Sequence, residues 1–534
     1  MCLPLLVACG GGGTQPSGNQ TGGGQTAGGQ TDGNQPAEGE AASGEAGGGE
    51  AAPAEKRYAE ELVILTDGMP APHLNPFMPG TPVPGLVYTF KLGWDRLLDI
   101  SSDLTTYLPM LATEWKSDDL KTWTFKLRDD VYFHNGEKFT SDDVVYTVER
   151  GMASPGTMSY SVWGTVAEVR ALDDYTVEIE LNGPNVEFEY NLAMGEGIIF
   201  NRDAVEADPD EGHYVGTGAF KLMEFVSNNY WVMERNDNYW GAPPITKKLT
   251  FRNITEAAAR SIMLLNGEAQ LACSIPSDDQ DLFQDNPAFT RYEVMVNNPM
   301  PINFNMTDPV AGDWSFRMAV ASAINRYDIA MATGATIFSI PTDGVTGGYF
   351  MPFRNTDIPL IPYDLDKARE YLAASPYKGE TITITASIGV TTSEVIQQQL
   401  SEIGIKTEIV QTDIAGLPAL VAWDNNQTQI LMCSYNMLLS ESAIRNLYYP
   451  RALYNRTHYD NPEVTALFDA VNVEPDREKR REIHYEIQRL IAEDPPMFNL
   501  YHSAWVFYGA KGIGGFTLRP DMFYDFRYIY LELD

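Results

Sequence analysis

Apolar residues recur along this chain with two spacings, and each spacing predicts a different kind of element. Glu61-Leu-Val-Ile-Leu-Thr is a short apolar run halted by Asp67-Gly68, which predicts a buried strand and a turn. Thr122-Trp-Thr-Phe-Lys-Leu alternates polar and apolar, as a half-buried strand does, and Val131-Tyr-Phe-His is expected to continue it. Asn135-Gly136 then predicts a tight turn. Thr140-Ser-Asp-Asp has the spacing of a capping box, with Val144, Val145 and Val148 on the inner face of the helix it starts. Tyr175-Thr-Val-Glu-Ile-Glu-Leu alternates as a further strand.

The second half carries more 3.6-residue spacing. Helices are predicted over 314–326, 365–374, 392–403 and 477–492, the last with Ile483, Ile487, Leu490 and Ile491 on one face. Strands are predicted between them at 381–386, 406–411 and 429–433. Strand–helix–strand alternation implies an α/β fold class, with a first half richer in strands. No internal repeat is evident.

The amino terminus breaks from this pattern. Between Gly10 and Pro53 there is no large apolar residue, only Gly, Gln, Ala, Ser, Thr, Asn, Pro and acids. Such a segment cannot offset its ordering entropy, so residues 10–56 are expected to form a disordered Gly-rich tether. A flexible chain of that length reaches about 35–40 Å. Order is expected from about Arg57. Before the tether, Leu6-Val7-Ala8-Cys9 resembles a bacterial lipobox, whose cysteine is lipidated. Residues 1–9 are read as the tail of a secretory signal that begins further upstream. No other stretch is long and apolar enough to predict a membrane-spanning helix.

Composition narrows the function. The 534 residues carry 37 Lys+Arg against 73 Asp+Glu, a formal net charge of −36, which argues against nucleic-acid partners. It also repels anionic headgroups, so any attachment to a membrane must be covalent or by insertion. The four cysteines, Cys2, Cys9, Cys273 and Cys433, have neither disulfide-scaffold nor metal-site spacing. Cys273 and Cys433 lie in apolar runs and read as buried thiols, with a bridge between them left open. The six histidines (His73, His134, His213, His458, His484 and His502) never fall at i, i+3 or i, i+4. No nucleophile elbow, zinc-protease motif or phosphate loop occurs. The expectation is a non-enzyme without cofactor or metal.

One ordered set of motifs is specific. Leu108-Pro-Met-Leu-Ala-Thr-Glu-Trp precedes Trp123-Thr-Phe-Lys-Leu-Arg-Asp-Asp-Val-Tyr-Phe-His-Asn-Gly-Glu-Lys-Phe-Thr-Ser-Asp-Asp-Val-Val. Then follow Gly216-Thr-Gly-Ala-Phe-Lys-Leu, Arg235-Asn-Asp-Asn-Tyr-Trp-Gly, Asn305, Phe316-Arg-Met-Ala, Ala323-Ile-Asn-Arg, Tyr363-Asp-Leu-Asp-Lys-Ala, Ile403-Gly-Ile-Lys and Asp494-Pro-Pro. The set resembles the oligopeptide/dipeptide/nickel family of extracellular solute-binding proteins, family 5, across about 58–532.

That resemblance implies a two-lobed clamshell of the periplasmic-binding-protein type II class. Lobe I would comprise 57–85, 200–274 and 500–534, with an extra domain at 86–199 and lobe II at 275–499. Chain crossings near 275 and 499 would form the hinge. The implied function is substrate receptor of an ABC importer, monomeric and lipid-anchored at the outer face of the cytoplasmic membrane, passing peptides or other small solutes to a permease–ATPase complex. Implied ligand contacts are His73, Asn75, Trp94, Asn303, Asn305, Ser434, Tyr435, Asn436 and Tyr501. One departure bears on the ligand. Peptide-binding relatives commonly carry Gly-Trp-x-x-Asp after the strand matching 429–433, but here the acid position falls at Tyr435 or Asn436. Oligosaccharide binding, a surface sensor and a surface hydrolase are the alternatives.

Overall fold

The computed structural model describes residues 56–68, 75, 77, 83–102, 104–194, 197–333, 353–413, 416–434, 443–452 and 454–533. Cys9, the tether, His73, Tyr435 and Asn436 lie outside the described residues.

Ten strands form one mixed sheet. Its order is Lys406–Gln411, Thr381–Ala386, Ile430–Met432, Phe289–Phe304, Met497–Ala510, Leu271–Ala272, Glu61–Thr66, Lys248–Asn253, Tyr230–Arg235, Phe220–Val226. Side chains on successive strand residues point to opposite faces. In Glu61–Thr66, Leu62 and Ile64 therefore enter one core, while Val63 and Leu65 meet another built from Leu264, Ile275, Phe283 and Tyr508. The other end of the sheet repeats the device. Ile430 and Met432 join Ile302, Phe316, Ile384 and Phe498, whereas Leu431 and Cys433 join Leu447, Phe468, Ile487 and Met497. Burial on both faces explains why these runs are continuously apolar instead of alternating.

The change of core falls within the two longest strands. Val294 and Val296 pack with the first half of the molecule, and Met300, Ile302 and Phe304 with the second. The pairing of these strands shifts register between Met295 and Pro299 and again between Met300 and Pro301. Proline has no N–H to give a ladder, so Pro299 and Pro301 remove two donors at that point. The first core continues into a four-stranded antiparallel sheet ordered Ala112–Lys116, Thr122–Leu127, Thr176–Leu181, Val166–Asp173.

Most predicted elements are found. The capping box at Thr140 opens the helix Ser141–Met152, with Asp143 accepting the Thr140 N–H at 3.0 Å. Two differ. Val131–His134 makes only an isolated bridge, Tyr132 to Lys138. The Asn135-Gly136 turn claims the Phe133 backbone, and the His134 N–H goes to Gly216 O at 2.8 Å. The predicted helix 314–326 ends at Ala323, and a second, Arg326–Ala332, follows. Asn325 causes the break: its side chain caps the second helix at Tyr327 N–H, 3.0 Å, while the Gln399 amide holds its backbone from both sides. Cys273 and Cys433 are both free and buried, in different cores.

The Gly216-Thr-Gly218 motif shows why glycine is needed. A Cβ at Gly216 would lie 2.0 Å from Gly93 O, and one at Gly218 would lie 2.3 Å from Leu92 O. Both clashes are with backbone, which cannot step aside. Gly216→Ala is therefore expected to cost about 2–3 kcal/mol or more in urea unfolding. A loss under about 0.5 kcal/mol would show that the approach is not that close.

Candidate functional site

In open α/β sheets ligands bind beyond the carboxyl ends of parallel strands, where backbone groups and loops are left unpaired. Glu61–Thr66 runs parallel to Lys248–Asn253 and to Leu271–Ala272. Their carboxyl ends lead into Asp67, Ile254 and Cys273. Arg260 closes part of this edge, donating to Cys273 O at 3.0 Å, Ile254 O at 2.6 Å and Ser274 O at 2.7 Å. Asp67 accepts the Tyr88 hydroxyl at 3.2 Å.

The second half has a matching edge. Thr381–Ala386 runs parallel to Lys406–Gln411 and to Ile430–Met432. It ends in Ser387, whose N–H and Oγ both reach Met432 O, at 3.1 and 3.3 Å. The helix Val390–Ser401 then begins after Gly389, which takes a left-handed φ of 68°. Thr392 Oγ1 lies 3.3 Å from the Tyr501 hydroxyl. The two crossing strands join these edges.

The residues expected to touch ligand divide by half. Asn75 and Trp94 belong to the first. Asn75 is buried and its side chain accepts the Phe77 N–H at 3.0 Å. Trp94 is 1% exposed and gives its indole N–H to His213 O at 2.9 Å, and it packs where Gly216 leaves room. Asn303, Asn305, Ser434 and Tyr501 belong to the second. Asn303 donates to Leu431 O at 3.0 Å and reaches Cys433 Sγ at 3.6 Å, which places it beside Ser434 in the chain. Asn305 donates to Thr428 O at 2.8 Å and accepts from Thr307 N–H and Oγ. These bonds give Trp94 and Asn305 positioning roles in the fold.

Sequence reasoning does not single out three polar groups here. Asp67 reads only as a strand stop. Asn499, in the return strand, is 0% exposed, and neither of its side-chain amide atoms has a hydrogen-bond partner. Its main-chain oxygen takes Arg326 Nε at 3.0 Å. His502 is buried three residues on, and burial, helped by Arg354, pulls its pKa down to about 4. A polar residue inside an otherwise apolar strand was the available signal for Asn499 and His502. Among the described residues, no three His, Cys, Asp or Glu side chains converge as metal ligands. No described helix is long and apolar enough to cross a membrane.

Comparison with known proteins gives a consistent result. A family model described as bacterial extracellular solute-binding proteins, family 5, middle region, matches residues 106–456. The glutathione-binding protein GsiB of Pectobacterium atrosepticum is 26% identical over 439 residues, 77% of this chain and 83% of that protein. Among solved structures, the ABC transporter substrate-binding protein CtaP of Listeria monocytogenes superposes with a TM-score of 0.78 at 24% identity, covering 89% of this chain and 100% of that one. The unliganded open form of the periplasmic murein tripeptide-binding protein MppA gives 0.79 at 19% identity, over 90% and 99% of the two chains. At these identities the solved structures establish the two-lobed fold.

The signature histidine of the first half has a structural task with a measurable consequence. His134 Nδ1 accepts the Gly216 N–H at 3.2 Å, so its proton sits on Nε2, 3.0 Å from Gly218 O. Burial lowers its pKa from 6.5 to about 4, and the same cause acts on His484, which stacks on Phe353. Below pH 6.5 the unfolded chain takes up protons that the folded imidazoles refuse. Stability is thus full above pH 6.5 and falls as pH drops toward 4, by up to about 3 kcal/mol for each such histidine. Unfolding free energies measured from pH 7 to 4.5 should show this slope. His484→Leu should flatten it by about 1 kcal/mol per pH unit between pH 6 and 5, and an unchanged slope would mean that His484 titrates normally.

Proposed function

The chain belongs to the family 5 bacterial extracellular solute-binding proteins, and from that premise we propose that it captures peptides or peptide-like solutes for an ABC importer while tethered to the membrane by a lipid on Cys9. The observation that carries this reading is the join between the two halves of the sheet. Two strands cross between separately packed cores, and both register shifts fall at Pro299 and Pro301. A pair of strands weakened at one point is a hinge, and the carboxyl edges on either side are the surfaces that would close on a solute.

On this reading lobe I comprises 57–85, 200–274 and 500–534, the extra domain 86–199 and lobe II 275–499. The packing favours placing the first bend at 296–300, since residues up to Val296 remain with the first core. Peptide-like ligands are favoured because relatives are named for glutathione and for a murein tripeptide. The receptor acts as a monomer at the outer face of the cytoplasmic membrane, and the Gly-rich residues 10–56 let it reach the permease.

Native mass spectrometry of the receptor purified from its own cells should release a bound peptide-sized species whose fragments are amino acids. Hexose fragments would replace the peptide reading with an oligosaccharide one. Cys9→Ser should move the protein from the membrane fraction to the soluble fraction, and unchanged fractionation would remove the lipid anchor.

A further inference from the structure

Asp67 stands out among the acids of this chain. Most carboxylates that form ion pairs here are at the surface, as Glu486 and Glu493 are with Arg489 on one helix face. Asp67 is half-buried at the carboxyl end of the Glu61–Thr66 strand, and among the described residues no Lys, Arg or His lies within ion-pair distance of it. Its one hydrogen bond comes from Tyr88, which is 2% exposed and is kept protonated by burial and by Asp67 itself. That bond fixes one oxygen, and the other has no hydrogen-bond partner among the described residues.

A second observation points to the same place. Tyr524 stacks obliquely on Tyr88, ring centroids 5.6 Å apart, and its fully buried hydroxyl has no hydrogen-bond partner. Cys273, also fully buried, completes the group at the end of the adjacent parallel strand. A desolvated phenol without a partner costs roughly 1–3 kcal/mol, so a group that joins this cluster is repaid as well as bound. A carboxylate with a free oxygen, backed by two tyrosines and lacking a cation, selects a positively charged hydrogen-bond donor.

We infer that Asp67, oriented by Tyr88, is the anionic subsite of this receptor and binds an ammonium or guanidinium group of the ligand. The inference rests on the solute-receptor reading and adds the ligand's charge and the residue that reads it. An ammonium here comes from a peptide amino terminus or from a polyamine, and the two are separable.

The test is isothermal titration of the full chain and its Asp67→Asn variant with tri-alanine, N-acetyl-tri-alanine and spermidine. Tri-alanine is expected to bind the parent, with N-acetylation and Asp67→Asn each weakening it by about 10–100-fold and with no further loss when combined. Tri-alanine bound equally by both proteins overturns the subsite and leaves the peptide reading intact. Spermidine bound by the parent alone, with tri-alanine ignored, supports the subsite and overturns the peptide reading. Neither amine binding the parent overturns the subsite. If Asp67→Asn fails to fold, Tyr88→Phe, which keeps the carboxylate and removes its orienting bond, should weaken the bound amine about threefold or more, and an unchanged affinity overturns the inference.

Discussion

The pairing of Phe289–Phe304 with Met497–Ala510 is the constraint on which the rest of this molecule is arranged. Two neighbouring strands ordinarily hold one another through an unbroken ladder, and residue parity then fixes which side chains face which core. Here the ladder shifts register between Met295 and Pro299 and again between Met300 and Pro301. Phe289, Val294 and Val296 serve the cores of the first half, and Met300, Ile302 and Phe304 a core of the second. Neither core needs to extend across the break. The packing thus changes at the same point where two ladder donors are missing.

The first half is locked by charge as well as by packing. Asp99 sits among Lys91 at 2.7 Å, Arg96 at 3.3 Å and Arg527 at 3.2 Å, and accepts the Ile100 N–H at 2.9 Å. Burial alone would push its carboxyl up, but these cations hold it well below the usual carboxylate range. Arg519, paired with Asp521, donates to Ile100 O at 3.0 Å. The end of the chain is so fastened to the Leu98–Ile100 strand, more than 400 positions earlier. Buried ion groups add little net stability over apolar packing, yet losing one member leaves the others uncompensated. The cluster therefore specifies where the last segment docks more than it strengthens the fold.

Local physics made much of this legible in advance. The alternation in Thr122–Leu127, the capping box at Thr140 and the amphipathic Arg477–Glu493 helix depend on neighbours a few residues away, and each was predicted near its observed bounds. Polar residues were harder, because their meaning lies in distant partners. Trp94 and Asn305 are both expected as ligand contacts, and no local pattern reports that the Trp94 indole bonds to His213 O or that the Asn305 amide goes to Thr428 O. His134 acquires its role only when Gly216 and Gly218 arrive against it. Asp67 was hidden for the opposite reason, since an acid before glycine is an ordinary turn signal. What sets it apart is the absence of a cationic partner among the described residues, which no local pattern reports.

The hinge proposed at the crossing strands has an energetic corollary for a receptor of this kind. A ligand shifts an open–closed equilibrium only by its difference in affinity for the two forms, and turning a 1:99 ratio into 99:1 takes about 5.5 kcal/mol. If bending had to break ladder hydrogen bonds, each would add to that requirement. Pro299 and Pro301 have no N–H to break, so the crossing can bend where the ladder is already open. The interaction energy of a small solute is then left for the contacts made across the cleft. On the proposed reading, a few groups at the two carboxyl edges then have fewer ladder bonds to overcome in closing.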